Sequence, residues 1–191
     1  MIGGKDEVRC AIVDSGVQRE LSGNNIFGGI TFKRSEAGIE IIENEYQDEN
    51  GHGSMVYRTL AQTDTEFYIV KVLNESNQGN SLTLCEALKW LLNIEVKLIV
   101  ICISTNNLEM GQEYEKLINK LSIQGKILFA SWTNNGRDTL SYPAILKNVI
   151  SVGRKKMDSK FIECDWKNNI QCLINILSLI HISEPTRLGM I

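Results

Sequence analysis

The chemistry legible in this sequence starts from one residue. His52 stands in "DENGHGSMVYRTLAQ", residues 48–62, between two glycines, after an acidic polar run and before a helical pattern; the chain has only two histidines. Imidazole titrates near neutral pH, so it is the side chain best suited to giving and taking protons there. Two other polar positions sit in comparable settings: Asp14 in "AIVDSGV" and Asn134 in "ILFASWTNNG", each just past an apolar run. Together they supply an anion, a proton carrier and an amide donor. Taken singly, each has a plain reading. Asp-Ser-Gly is a common turn, a glycine-flanked histidine is usually a loop residue, and Asn-Asn-Gly is most often a turn with positive φ.

These side chains need elements to hold them. "VRCAIVD" (8–14) reads as a buried strand running into a turn. Residues 17–50 are rich in Gly, Asn and Glu, with two short strands in "IFGGITF" and "GIEIIE". A helix begins at Gly53, with Met55, Val56, Thr59 and Leu60 on its apolar face. Then come a strand at 67–73, a helix at 81–92 capped by Ser81, and a strand at 96–103 that is apolar at nearly every position. A helix at 113–125 closed by Gly125, a strand at 126–130 and a strand at 148–153 complete the pattern. Alternating strands and helices imply an α/β fold with three layers and a doubly wound, mostly parallel sheet. Ligands of such folds bind beyond the carboxyl ends of the strands. That edge holds Asp14, Ser104 and Asn134, and His52 opens a helix that can face it.

The order of the three segments narrows the reading. "AIVDSGV", "NGHGSMV" and "ILFASWTNNG" followed by "YPAILKNVISVG" resemble the subtilisin-like serine proteases. That family carries D-[ST]-G after its first strand, H-G-T opening a helix, and A-A-G-N before a "YPA…VG" stretch. Its chain order is Asp, His, then a nucleophilic Ser. The resemblance covers about residues 7–175 and implies a subtilisin-like fold acting on a peptide or protein substrate. It makes His52 the general base and Asp14 the acid that orients it, and Asn134 the oxyanion donor. Ser104 and Thr105 match the segment that pairs with the substrate backbone. A histidine at a helix N-terminus is expected to stay neutral, and the flanking glycines to clear space around its ring. The sequence departs from the family at Met55, Val56, Tyr57 and Arg58 after the H-G motif, at Trp132 and Thr133 in place of small residues, and at Asn106 in place of Gly. "QREL" also replaces the "HPDL" that follows the first motif in the family.

Bulk properties exclude other classes. The 191 residues carry a net charge of −3 with a pI near 5.5, the wrong sign for nucleic acid or an anionic membrane surface. Apolar runs such as "LIVICI" are far shorter than a membrane span. No cofactor and no metal ligand set are expected. Five cysteines, an odd count without a CxxC pair, read as reduced thiols. With no visible signal peptide, they imply a cytoplasmic setting.

The family's nucleophile lies in a G-T-S-M-A block, and no Gly-Thr-Ser occurs among these residues; Ser141, Ser151 and Ser159 lie elsewhere. After "NNIQCLI" the chain ends in "LSLIHISEPTRLGMI", of which "LSLIHISEPTR" matches the in-frame translation of a transposon adapter used in sequencing libraries. The expected organisation is therefore residues 1–176 as a partial subtilisin-like peptidase domain, incomplete at its C-terminus, and 177–191 as a non-native tail. Two other readings stay open here: a catalytically dead binding domain of the same fold, and an unrelated doubly wound ligand-binding domain. If the tail never packed with the domain, deleting residues 177–191 leaves the melting temperature unchanged or raised; a clear fall would show that it belongs to the fold.

Overall fold

In chain order the strands are β1 (Val8–Asp14), β2 (Ile26–Ser35), β3 (Gly38–Glu43), β4 (Thr65–Lys71), β5 (Leu98–Ile101), β6 (Ile127–Ser131), β7 (Val149–Arg154), β8 (Glu163–Asp165) and β9 (Ile170–Ile174). The helices are α1 (His52–Leu60), α2 (Ser81–Leu91) and α3 (Gly111–Ile123). The computed structural model describes residues 8–23, 25–62, 64–132, 140–154, 163–165 and 170–174. Asn134, Ser159 and the tail 177–191 lie outside them.

All described strands join one sheet in the order β3-β2-β4-β1-β5-β6-β7-β9-β8. From β2 to β9 every pairing is parallel, and the outer strands β3 and β8 run antiparallel to their neighbours. The two short strands read between 17 and 50 are therefore a longer hairpin on one edge. Strand β1 is central because its side chains are apolar on both faces. Ala11 and Val13 enter one core with Leu88, Leu91, Tyr114 and Leu121 from α2 and α3. Cys10 and Ile12 enter the other, with Tyr57 of α1 and Phe67 and Ile69 of β4. Successive side chains of a strand alternate faces, so Asp14 falls on the α1 side with Ile12.

This order puts a switch point at β1. From β1 the chain goes out to β2 and β3 on one side, returns inward through β4, then crosses β1 to β5, β6 and β7 on the other. The crevice opened where the winding reverses lies beyond the carboxyl end of β1, which is Asp14.

Three local expectations need correction. Helix α1 buries Gly53, Ser54 and Tyr57, whereas Met55 and Thr59 are exposed and Val56 and Leu60 only half-buried. Small residues lead that face because the helix start lies against strand backbone, which leaves no room for larger ones. Strand β5 is shorter than the apolar run, ending at Ile101. Helix α2 is capped by Asn80 rather than Ser81: the Asn80 side chain accepts the Leu82 N–H at 2.8 Å, and Thr83 Oγ1 accepts the Asn80 N–H at 3.2 Å. At the far end of α3 the chain turns through Gly125 with φ +76°, as read from the sequence. Asn80→Ala is expected to cost about 1 kcal/mol in urea denaturation, and Ser81→Ala clearly less, because only the former removes a cap.

Candidate active site

Asp14 ends β1 with 1% of its surface exposed. The Ser15 N–H donates to its Oδ1 at 2.6 Å. His52, 38 residues away, places Nδ1 2.8 Å from Asp14 Oδ1 and 2.9 Å from Oδ2. With Nδ1–H donated to a carboxylate, the lone pair of the neutral ring sits on Nε2. The hydrogen bond to Asp14 raises the His52 pKa above its ordinary value; burial opposes this, and the charges of Asp14 and Asp48 add to it. The helix N-terminus was expected to keep the ring neutral, but the adjacent carboxylate is the stronger influence.

The glycines position the helix rather than clear the ring. Gly51 precedes α1 with φ +93°, a left-handed conformation that suits glycine. A Cβ at Gly53 would lie 2.3 Å from the Gly16 carbonyl oxygen and 3.2 Å from Asp14 Cβ. Helix α1 thus rests directly on the turn that follows β1. The Gly53 N–H donates to Ser15 Oγ at 2.9 Å, and the His52 N–H donates to Asn50 Oδ1 at 3.2 Å.

His52 stands on a cleft of about 650 Å³ that Ser104, Thr105, Cys102, Trp132, Leu84 and Tyr114 also line. Thr105 N–H and C=O are both taken by Tyr142, at 3.0 and 2.8 Å. Ser104 and Thr105 both stand on the cleft wall. Asn134 lies outside the described residues, three positions beyond the end of β6.

The model of the subtilase family matches residues 5–164. The chain belongs to the subtilase family. It is 29% identical to Subtilisin Savinase of Lederbergia lenta over 157 residues, 76% of this chain and 55% of that protein. It is likewise 29% identical to an alkaline protease of Shouchella clausii, of which it covers 39%. Among solved structures it is similar to a lanthipeptide protease, with TM-score 0.60 and 22% identity over 80% of this chain and 50% of the other. It is also similar to the epidermin leader peptide processing serine protease of Staphylococcus aureus, with TM-score 0.62 and 18% identity over 78% and 47%. At those identities the likeness shows the fold. The chain spans about half the length of the subtilisin it matches.

The departures of this subtilase from the family pattern have local explanations. Arg58 points to solvent, while its neighbour Tyr57 takes the buried position. Tyr57 packs edge-on against Phe67, ring centroids 5.4 Å apart, and donates to Asn25 Oδ1 at 2.6 Å. Trp132 is 8% exposed in the core beneath the cleft, and its Nε1–H has no hydrogen-bond partner among the described residues. Burial disfavours the thiolate at Cys10, Cys85 and Cys102. Burial pushes Cys10 up to about 12 and Cys85 up to about 11, and raises Cys102 beyond the ordinary thiol range, the Asp14 charge adding to its shift. Ser141 and Ser151 are both buried. Reading the sequence missed Asp48, a buried carboxylate ahead of His52; the signal was Asp before Asn-Gly, a pattern that favours side-chain-closed turns.

A histidine whose folded pKa is raised stabilises the fold most below its unfolded value, and that contribution is lost as pH rises through the folded value. His52→Gln is therefore expected to cost more stability at about pH 5.5 than at about pH 9, compared by urea denaturation at both. An equal cost at both would show that the ring gains nothing from Asp14.

Proposed function

We propose that this chain is part of a serine-type endopeptidase that hydrolyses peptide bonds with an Asp-His-Ser triad. The observation that carries the reading is the two-point contact of His52 Nδ1 with the Asp14 carboxylate at the switch point of the sheet. His52 Nε2 takes the proton from a serine hydroxyl as that oxygen attacks the substrate carbonyl, then gives it to the leaving amine. Asp14 holds the ring in the tautomer that leaves Nε2 basic and stabilises the imidazolium formed on the way. Asn134 donates its side-chain amide to the oxyanion. Ser104 lines the cleft in which an extended peptide lies. The substrate is a peptide or protein segment; nothing in the charge of the chain calls for nucleic acid or lipid.

The nucleophile belongs to a G-T-S block that these 191 residues do not contain. Base, orienting acid and oxyanion donor without it give only a small part of a triad enzyme's rate. A second reading is a subtilase-fold domain that binds peptides without cleaving them. A fluorophosphonate serine probe separates the two. The 191-residue protein is expected not to label. A longer form carrying a Gly-Thr-Ser block is expected to label, and His52→Ala to abolish that labelling. Labelling of the present chain at Ser141, Ser151 or Ser159 would overturn the assignment, and a longer form that stays unlabelled would leave the binding domain.

A further inference from the structure

A second buried carboxylate lies behind the pair. Asp48 is 2% exposed, in the loop between β3 and α1. Its Oδ1 accepts from the Asn50 N–H, the Gly51 N–H and the Ser15 hydroxyl, each at 2.9 Å. Its Oδ2 accepts from the Ser54 N–H at 2.9 Å and the Ser54 hydroxyl at 2.5 Å. We propose that Asp48 is a positioning residue for the Asp14–His52 pair, its carboxylate locking the turn after β1 to the first turn of α1.

Asp48 acts through residues flanking each member of the pair. Ser15 follows Asp14 and is the joint between the two carboxylates. Its N–H donates to Asp14 Oδ1, its hydroxyl donates to Asp48 Oδ1, and its Oγ accepts the Gly53 N–H. Gly51 and Gly53 flank His52, so one is fastened to Asp48 directly and the other through Ser15. Ser54 extends the lock, because its Oγ also accepts the Gln18 N–H at 3.0 Å. The arrangement ties the backbone that follows Asp14 to the backbone on both sides of His52.

Only an ionised carboxylate fits this site. Five donors converge on two oxygens, and none of the five needs a donor in return. An amide would turn its own N–H groups against them, and a protonated acid would lose an acceptor. Burial pushes the Asp48 carboxyl up, but the hydrogen bonds from Ser54, Gly51 and Asn50 outweigh it and hold the group below the ordinary carboxylate range. The titratable and charged groups on and around this loop are Asp14 on β1, Arg19 after the β1 turn, Glu45, Tyr46 and Glu49 in the loop itself, His52 on α1 and Lys71 on β4. Lys71 Nζ is held by the Gln47 carbonyl at 2.6 Å and by Glu49 Oε2 at 3.0 Å. The charge of Asp48 thus adds to that of Asp14 in favouring the imidazolium.

This role rests on the reading of Asp14 and His52 as acid and base, but its test needs no nucleophile and no turnover. The ring C–H resonances of His52 are followed against pH by NMR in the 191-residue protein, with His181→Gln to tell the two histidines apart. In Asp48→Asn, His52 is expected to titrate at lower pH than in the parent, and the Gly53 amide to exchange faster. In Ser15→Ala, which keeps the charge and removes the joint, both changes are expected in the same direction and smaller. If Asp48→Asn does not fold, Ser15→Ala decides by the same readings. A folded variant with unchanged His52 titration would overturn the proposal, reducing Asp48 to a loop clasp. That result would leave the fluorophosphonate experiment untouched, just as an unlabelled longer form would leave this one standing.

Discussion

A carboxylate at the end of the central strand meets an imidazole on a separate helix across 2.8 Å, and the surrounding backbone is shaped to let them meet. A buried carboxylate is costly unless its oxygens are satisfied, and Asp14 is satisfied by the Ser15 N–H and by His52. For the ring to arrive, α1 must settle onto the turn after β1. That turn has no room for side chains. Gly16 has φ +110°, and a Cβ there would lie 2.4 Å from the Tyr46 carbonyl oxygen, the same oxygen that accepts the Val17 N–H. Gly16 and Gly53 are therefore two halves of one contact, and the D-S-G and H-G motifs are its trace in the sequence.

The electrostatics of the site come from this crowding of acids around one ring. A helix start alone would favour neutral imidazole. Here the ring has a carboxylate in direct contact and a second one nearby, and they outweigh burial. The base is thereby made stronger, at the cost of being occupied by a proton over more of the acid range. The thiols at the same sheet edge are pushed the opposite way functionally: Cys102 lines the cleft, yet burial and the Asp14 charge keep it protonated and so a poor nucleophile.

The sheet and its helices were legible because apolar strands such as "AIVD" and "LIVI" are buried on both faces and leave continuous hydrophobic runs. The alignment of Asp14 with His52 was legible through motif resemblance, and the close seating of Gly53 on the Gly16 turn supplies its physical reason. Less was readable where contacts are long-range. The buried face of α1 was misread because its tightest contacts are made by Gly53 and Ser54, which no hydrophobic pattern marks. Asn80 was passed over for Ser81 because both residue types cap helices and only the backbone angles decide between them. The pairing of Thr105 with Tyr142 was not legible because the two are remote in sequence. The five hydrogen bonds of Asp48 reach from Ser15 to Ser54, and a polar loop does not announce such a hub.

The pairing order of the strands has a consequence in time. Every hydrogen bond that holds Asp14 to His52 is made by residues before position 73: Ser15, Asp48, the first turn of α1, and Val72, whose N–H donates to the Asp14 carbonyl at 2.9 Å. Strands β6, β7 and β9 add to the sheet on the far side of β5. Domains emerge from the ribosome N-terminal end first, and contacts of short sequence separation close before distant ones. The acid–base pair is thus built from the part of the chain that is synthesised earliest, so the proton-handling half of the site can take shape while the remaining strands are still to be made.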